Sequence, residues 1–362
     1  MSAQGKAGSV RRNYTPPRYS PGVIYRHWGL FNEMKVSVVI ATYRRASSLG
    51  RTLSTIAAQQ RRPDEIIVID QSPSEERPSV SAAIETVSHA GLNVRIIWSD
   101  VPSSTHARNL GLKAATGDWV IFSDDDVDWP ASVTGDFVTK IKKSPAMVML
   151  AARDTLALAQ PRPFWRRAAA TFFLTNTFRP LTYGKVMACM QARYPQPIVG
   201  DMETEWATGY WFAVERAFVA SHHLQFDEKM SRYAQAEDML FSHQVYIAAS
   251  RSGRRCIVSE DIAVTHLVSQ EWREPDSFAD LCGAWNRIYI ASRLRTGIGF
   301  WLSLGAIYWA AIHQTLVRVA RGRGWLGHLR AYGIALRHLG EIRDGRFSSL
   351  YVRYEKHSGL LT

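Results

Sequence analysis

Short apolar runs alternate with segments of helical period through the first half of the chain. Lys35 to Thr42 (KVSVVIAT) is nearly continuous in apolar and β-branched residues, and Glu65 to Asp70 (EIIVID), Val94 to Trp98 and Trp119 to Phe122 repeat the form. Runs of this length and composition predict strands buried on both faces, as in parallel sheet. Between them Leu49, Leu53, Ile56 and Ala57 recur at helical spacing up to Pro63, with Ser47 or Ser48 placed to cap the helix. Ser79 to Ala90 predicts a second helix. Ser103 to Ala115 predicts a third, with Ala107, Leu110, Ala114 and Ala115 on one side. The alternation predicts an α/β fold, a mostly parallel sheet with helices on both faces.

The pattern is less regular further on. Met147 to Ala152 and Trp206 to Val214 read as strands, as do the shorter Cys256 to Ser259 and Ile262 to His266. A helix is expected from Gln235 or Ala236 through Met239, Leu240, His243 and Ile247. Residues 160–200 carry Pro161, Pro163, Pro180, Pro195 and Pro197 among aromatics and arginines and read as loop-rich, and Ala168 to Leu174 is too short to span a membrane. Thr296 to Val317 is different: 22 residues without a permanent charge, about 33 Å as a helix and enough to cross a bilayer core. Beyond it Trp325, Leu326, Leu329, Leu336 and Leu339 alternate with basic residues, as in a helix lying on a membrane surface. Membrane association through 296–346 is the expectation, spanning or interfacial; a helix buried against the rest of the protein is the alternative.

Composition adds three constraints. A length of 362 residues favours about two domains, and 46% hydrophobic residues support a large core. The three cysteines, Cys189, Cys256 and Cys282, are far apart without a CxxC pair, which argues against a disulfide framework or structural zinc and fits a reducing compartment. The net charge of +12 is concentrated late, where Arg293 to Arg346 holds nine arginines against Glu341 and Asp344; such a patch attracts nucleic acid, anionic lipid or phosphorylated substrates without choosing among them. Residues 1–34 mix Gly, Ser, Pro and Arg without a signal-peptide core and read as a flexible basic tail, docked in part through Tyr25, Trp28 and Phe31. Residues 35–275 form the expected catalytic domain and 276–362 a helical region.

The sharpest chemical signal is Asp124-Asp125-Asp126, closing the run Gly117 to Ser123. Adjacent carboxylates at a strand end repel one another unless a cation sits among them, and an oxygen-ligated divalent metal is the obvious one. The carboxyl ends of strands in open α/β sheets are also where ligands collect. A calcium loop is excluded, because Trp129 and Gly135 stand where its Gly and Glu would be required.

Together, SVVIATYRR (37–45), IIVIDQS (66–72), ARNLGLKAATGDWVIFSDDD (107–126), FDE (226–228) and AEDML (236–240) occur in an order that resembles family-2 glycosyltransferases of the GT-A fold. The resemblance covers roughly residues 35–270. It implies inverting transfer of a sugar from a UDP-, GDP- or dTDP-sugar to a hydroxyl, assisted by manganese or magnesium. Residue by residue, it places Asp124 near the donor ribose or metal and Asp126 on metal and diphosphate, with Asp125 in the variable position. Asp70 would bind the base, flanked by Thr42 and Tyr43, although Gln71-Ser72-Pro73 departs from the usual Asp-Gly-Ser or Asn-Gly-Ser. Arg108 would reach the donor side, where a permanent cation suits phosphate; a helix-surface ion pair is the alternative. Asp238 would be the general base that an acceptor hydroxyl needs at neutral pH, with two first-turn acids stabilising a helix as the alternative. His266 would complete the metal shell or be structural. Gly209, Tyr210 and Trp211 would line the acceptor side, the aromatics stacking on sugar or belonging to the core.

A glycan or lipid-linked acceptor at the cytoplasmic face of the membrane is therefore expected, or a cytoplasmic enzyme if the last helices are buried. No nucleic acid partner is expected. Two other readings compete: a metal-dependent nucleotidyltransferase, which leaves FDE and Glu237-Asp238 unexplained, and a non-catalytic module binding anionic lipid or nucleic acid, which would show steep salt dependence without any need for metal or nucleotide.

Overall fold

A computed structural model describes residues 34–355 apart from 90, 158–162, 233, 274 and 323. The expected N-terminal tail, with Tyr25, Trp28 and Phe31, lies outside the described residues but for its last position. In chain order the elements are β1 (Val36–Thr42), α1 (Ala46–Ala57), β2 (Glu65–Asp70), α2 (Arg77–Ser88), β3 (Val94–Trp98), α3 (Ser104–Ala114), β4 (Trp119–Ser123) and β5 (Val127–Asp128). Then follow α4 (Val133–Lys143), β6 (Met147–Asp154), α5 (Phe164–Phe172), β7 (Lys185–Val186), β8 (Ala192–Arg193), β9 (Asp201–Glu203), β10 (Trp211–Glu215), α6 (Arg216–Ser221), α7 (Glu237–Arg251) and β11 (Arg255–His266). Five helices end the described chain: α8 (Asp276–Leu294), α9 (Ile298–Ala320), α10 (Trp325–Arg337), α11 (Leu339–Arg343) and α12 (Phe347–Glu355).

The apolar runs of β1, β2 and β4 are buried on both faces, whereas β3, expected to be so too, is the edge strand and has no fully buried residue. The main sheet runs β3-β2-β1-β4-β10-β6-β11-β5, with β9 beside β11. Its first four strands are parallel, β10 is antiparallel to both neighbours, and β6 and β11 are parallel again. Val38, Ile40 and Ile121 face a core with Leu49 and Leu53 of α1; Val39 and Phe122 face the opposite one with Ala107 of α3 and Phe241 of α7. Gly111 permits α3 to lie close on the sheet, since a Cβ there would come within 2.2 Å of Val39. The parallel register carries Thr42, Asp70 and Asp124 to one end of the sheet, because Thr42 pairs with Asp70 and Ile40 with Ser123.

Other expectations need correction. Neither Ser47 nor Ser48 caps α1, which begins at Ala46 after Arg45 with both serines inside it. The strand read over Trp206 to Val214 begins only at Trp211. The chain before it is irregular because side chains take its backbone N–H groups: Ser242 accepts from Ala207, Tyr194 from Thr208 and Asp238 from Gly209. The two short strands near residue 260 are a single strand, β11, with an irregularity between Ser259 and Ala263. The loop-rich stretch of 160–200 also contains α5, which starts just after Pro163, where a missing N–H costs nothing. Finally, α9 is a helix of 23 residues, but no described helix is long and apolar enough to cross a membrane. Its inward face (Phe300, Leu304, Ile307 and Ala311) instead joins a core with Trp285 and Tyr289 of α8, Tyr332 of α10, and Met239 and Leu240 of α7.

A carboxylate cluster at the strand ends

The acids after β4 occupy different environments. Asp124 is partly exposed, while Asp125 and Asp126 are buried. Asp125 accepts from Thr42 Oγ1 (2.7 Å) and from Arg45 (3.2 Å). Burial pushes its pKa up to about 7, against the pull of Arg45 and Thr42. Asp126 is held below the usual carboxylate range: burial acts upward but is outweighed by His266, the Ser269 N–H and Arg45. The Ser269 N–H donates to Asp126 Oδ2 at 2.8 Å, and Arg45 lies 3.7 Å from the same oxygen. Arg45 therefore supplies part of the positive charge that the acid run demanded, a role its place in the Tyr43-Arg44-Arg45 loop did not by itself reveal. It also donates to the Trp272 carbonyl (3.2 Å), tying the chain after β11 over the acids, with Trp272 edge-on to Tyr43.

Arg108 carries the second cation inward. It is buried, and its guanidinium donates to Asp124 (2.9 Å), Glu237 (2.8 Å) and the Gly209 carbonyl (3.3 Å), above the ring of Phe226. It is thus not the helix-surface pair that was the alternative. It bridges the acids of β4 to those of α7. A Cβ on Gly209 would lie 2.8 Å from Arg108 Nη2 and 3.2 Å from Asp238 Oδ2, so only glycine lets both approach. Asp238 in turn accepts the Gly209 N–H at 2.5 Å. Burial pushes the Glu237 and Asp238 carboxyls up, with Arg108 opposing. Ala236, just before them, has φ 71° and ψ 21°. A left-handed non-glycine residue costs about 1–2 kcal/mol, and Arg44 (φ 58°) and Val268 (φ 54°) add two more such residues beside the site. Strain of this kind concentrates where a loop must place functional groups.

Of the remaining sequence candidates, His266 pairs with Val127, stacks on Tyr210 and brings Nε2 within 3.2 Å of Asp126 Oδ1. Asp70 is fully buried. Its Oδ1 accepts from Ser72 Oγ at 2.6 Å while Oδ2 has no hydrogen-bond partner; burial pushes its pKa up, opposed by Ser72. The unusual Gln71-Ser72 thus has work of its own: Ser72 also caps the Arg44 N–H, and Gln71 accepts from the Ser103 N–H at the start of α3. Trp211 is fully buried against Trp129 and Phe137, so it is core, whereas Tyr210 is partly buried. In FDE, Phe226 stacks on Phe241, Asp227 accepts from Tyr289 Oη, and Glu228 accepts from Asn109. That motif clasps α3, α7 and α8 around the site.

A metal fits the cluster. Ligand atoms of Asp124, Asp126 and His266 all lie within 4.8 Å of one another. Asp126 Oδ1 is buried among them, facing His266 Nε2 at 3.2 Å without the geometry of a full hydrogen bond, so it keeps lone-pair capacity that a cation can complete. Two carboxylates and an imidazole suit manganese or magnesium better than a soft metal.

Residues 37–191 match the model of glycosyl transferase family 2. Over 98 residues, 27% of this chain and 32% of the relative, the sequence is 29% identical to the amylovoran biosynthesis glycosyltransferase AmsB of Erwinia amylovora; the match spans about a third of that relative's length. Among solved structures, a mannosyltransferase of Pyrobaculum calidifontis, in complex with GDP-Man and Mn2+, aligns over 88% of both chains with a TM-score of 0.50 and 18% identity. TarS 1-349 of S. aureus, in complex with UDP-GlcNAc, aligns over 85% of this chain and 81% of its own with a TM-score of 0.51 and 16% identity. The α/β fold, with its helices after β11, is the GT-A fold of these neighbours.

Proposed function

We propose, for a chain whose residues 37–191 are a family 2 glycosyltransferase segment, that it is an inverting glycosyltransferase moving a sugar from a nucleoside-diphosphate sugar to a hydroxyl of a lipid-linked or polysaccharide glycan. The observation that carries the reading is the convergence of ligand atoms of Asp124, Asp126 and His266 within 4.8 Å of one another, joined through Arg108 to Glu237, the neighbour of Asp238. The metal-bound and sugar-nucleotide-bound neighbours support the donor class.

In this reading the unpartnered Asp70 Oδ2 receives an N–H of the base, and Tyr43 with Trp272 borders it. Asp124, Asp126 and His266 would hold a divalent metal, which would supply positive charge where the leaving diphosphate gains negative charge. Arg108 orients Asp124 and Glu237, with both terminal nitrogens bonded to protein oxygens. Asp238, fixed by the Gly209 N–H, accepts the acceptor's proton as the hydroxyl oxygen bonds to the anomeric carbon. The bond from that carbon to the phosphate oxygen breaks on the opposite side, and its electron pair leaves with the nucleoside diphosphate. A single displacement inverts the anomeric centre.

A membrane-linked acceptor at the cytoplasmic face fits the basic, apolar C-terminal helices. The test incubates the protein, manganese and each of the UDP-, GDP- and dTDP-sugars with membrane lipid extract, then reads the anomeric configuration of the product by NMR. An inverted glycoside is expected from at least one donor. Retained configuration would overturn the single displacement, and no transfer from any of them would overturn the activity.

A further inference from the structure

The outer face of α9 carries no charge. Leu302, Gly305, Trp309, Ile312, Leu316 and Val319 follow at intervals of three and four residues, and all are exposed. A helix apolar on its core side should show polar residues to water; here Leu302 is 68% and Leu316 53% exposed. The end of α5 extends the face, because Phe172, 64% exposed, lies edge-on to Trp309 and its carbonyl accepts from the indole N–H at 2.7 Å. Exposed apolar surface of this continuity marks an interaction site.

Beside it a cavity of about 1860 Å³ opens between α5, α8, α9 and α10. Trp165, Phe173, Leu316, Val317 and Leu326 give it apolar walls, whereas five arginines (Arg166, Arg193, Arg287, Arg318 and Arg321) stand against Asp276 and Asp280. Arg318 is spent on Asp280, with contacts of 2.5 and 2.6 Å. Arg287 donates only to the neutral Gln314 and Tyr332. Among the described residues no ion pair engages Arg166, Arg287 or Arg321. The cavity is therefore both oily and positive. It also borders the chemistry, since Gln235 lines it and is separated from Glu237 and Asp238 only by Ala236. Arg193 lines it too, and the next residue, Tyr194, accepts the N–H of Thr208, the neighbour of Gly209.

We propose that this cavity receives the phosphate of a lipid-linked acceptor, whose hydrocarbon tail passes over the outer face of α9 into a bilayer leaflet and whose sugar reaches Asp238 past Gln235. The inference rests on the transfer reaction set out above. Arg166, Arg287 and Arg321 recognise the phosphate, and the uncharged stripe takes the tail at the interface. The chemistry selects an anionic amphiphile: neither a neutral lipid nor a free sugar uses both surfaces.

The test is co-sedimentation of the full-length protein with phosphatidylcholine vesicles containing a polyprenyl phosphate, compared with vesicles matched in charge with phosphatidylglycerol. Binding about tenfold tighter to the polyprenyl phosphate vesicles is expected, and the Arg166→Glu/Arg321→Glu pair, both at exposed positions, should abolish the preference. Leu302→Glu with Leu316→Glu should weaken binding to both vesicle types. Manganese-dependent stabilisation by nucleoside diphosphates, unchanged in these variants, shows that they are folded. Equal binding to the two vesicle types, an undiminished preference in the arginine pair, or full displacement by inorganic phosphate would overturn the lipid site. Vesicle binding as expected, without nucleotide stabilisation of the wild type, would overturn the transfer reading and leave the lipid-phosphate site standing.

Discussion

At the scale of residues, the site depends on how closely few groups approach. Gly209 lets Arg108 and Asp238 share one corner, and a methyl there would meet both. Gly209→Ala should cut turnover by up to about 10²-fold, the cost of a small misplacement, with nucleotide binding by calorimetry little changed. Asp238→Asn should lower the transfer rate on the order of 10²- to 10⁴-fold, the usual contribution of a general base, again sparing donor binding; equal loss of both would argue against the role. Burial raises the Asp238 pKa, and a base works only when ionised, so activity should fall on acidification at a pH above the ordinary carboxylate range. Asp125 gives a stability prediction for the metal-free protein. Its pKa is raised from 3.8 to about 7, so the folded state holds the proton more tightly than the unfolded chain. The stability it contributes is complete below about pH 4 and is lost as pH rises through about 7. Thermal unfolding without metal should show that decline, and Asp125→Asn should flatten it.

At the scale of elements, legibility followed burial. The strands that carry Thr42, Asp70 and Asp124 were readable because continuous apolar runs have few alternatives to a two-sided core. Their acids were readable because charge at the end of such a run is improbable without a ligand. Trp206 to Gly209 misled because its N–H groups bond to Tyr194, Ser242 and Asp238, which no local pattern encodes. Arg45, Ser269 and Trp272 were missed as site residues for a related reason: they meet only when the chain after β11 folds back over β1. Helix α7 places Asp238 through the left-handed Ala236. Ala236→Gly should relieve that residue and raise stability in urea by about 0.5–1 kcal/mol, the left-handed cost less the entropy glycine adds to the unfolded chain. No change would mean that the surroundings, not the residue, bear the strain.

At the scale of the whole molecule, two chemistries adjoin through α7. The carboxylates at the strand ends form one side. The other is the helical core of α8 to α12, in which Met239 and Leu240 of α7 are buried with Trp285 and Tyr289. Of the readings left open for 296–317, the spanning one fails, because no described helix is long and apolar enough to cross a membrane. Half of α9 is core, and its other face is what the proposed bilayer contact uses. The net charge of +12 then has a place as well as a size, with part of it around the cavity beside α9. The account stands or falls on a divalent ion at Asp124, Asp126 and His266 joining nucleotide to protein. Electron paramagnetic resonance of free manganese, titrated with the protein and then with UDP, GDP or dTDP, tests it directly. The account predicts that wild-type protein depletes the free-ion signal, more strongly once the matching nucleotide is present, and that Asp126→Asn does neither. An undiminished signal with all three nucleotides, or equal depletion by Asp126→Asn, would contradict it.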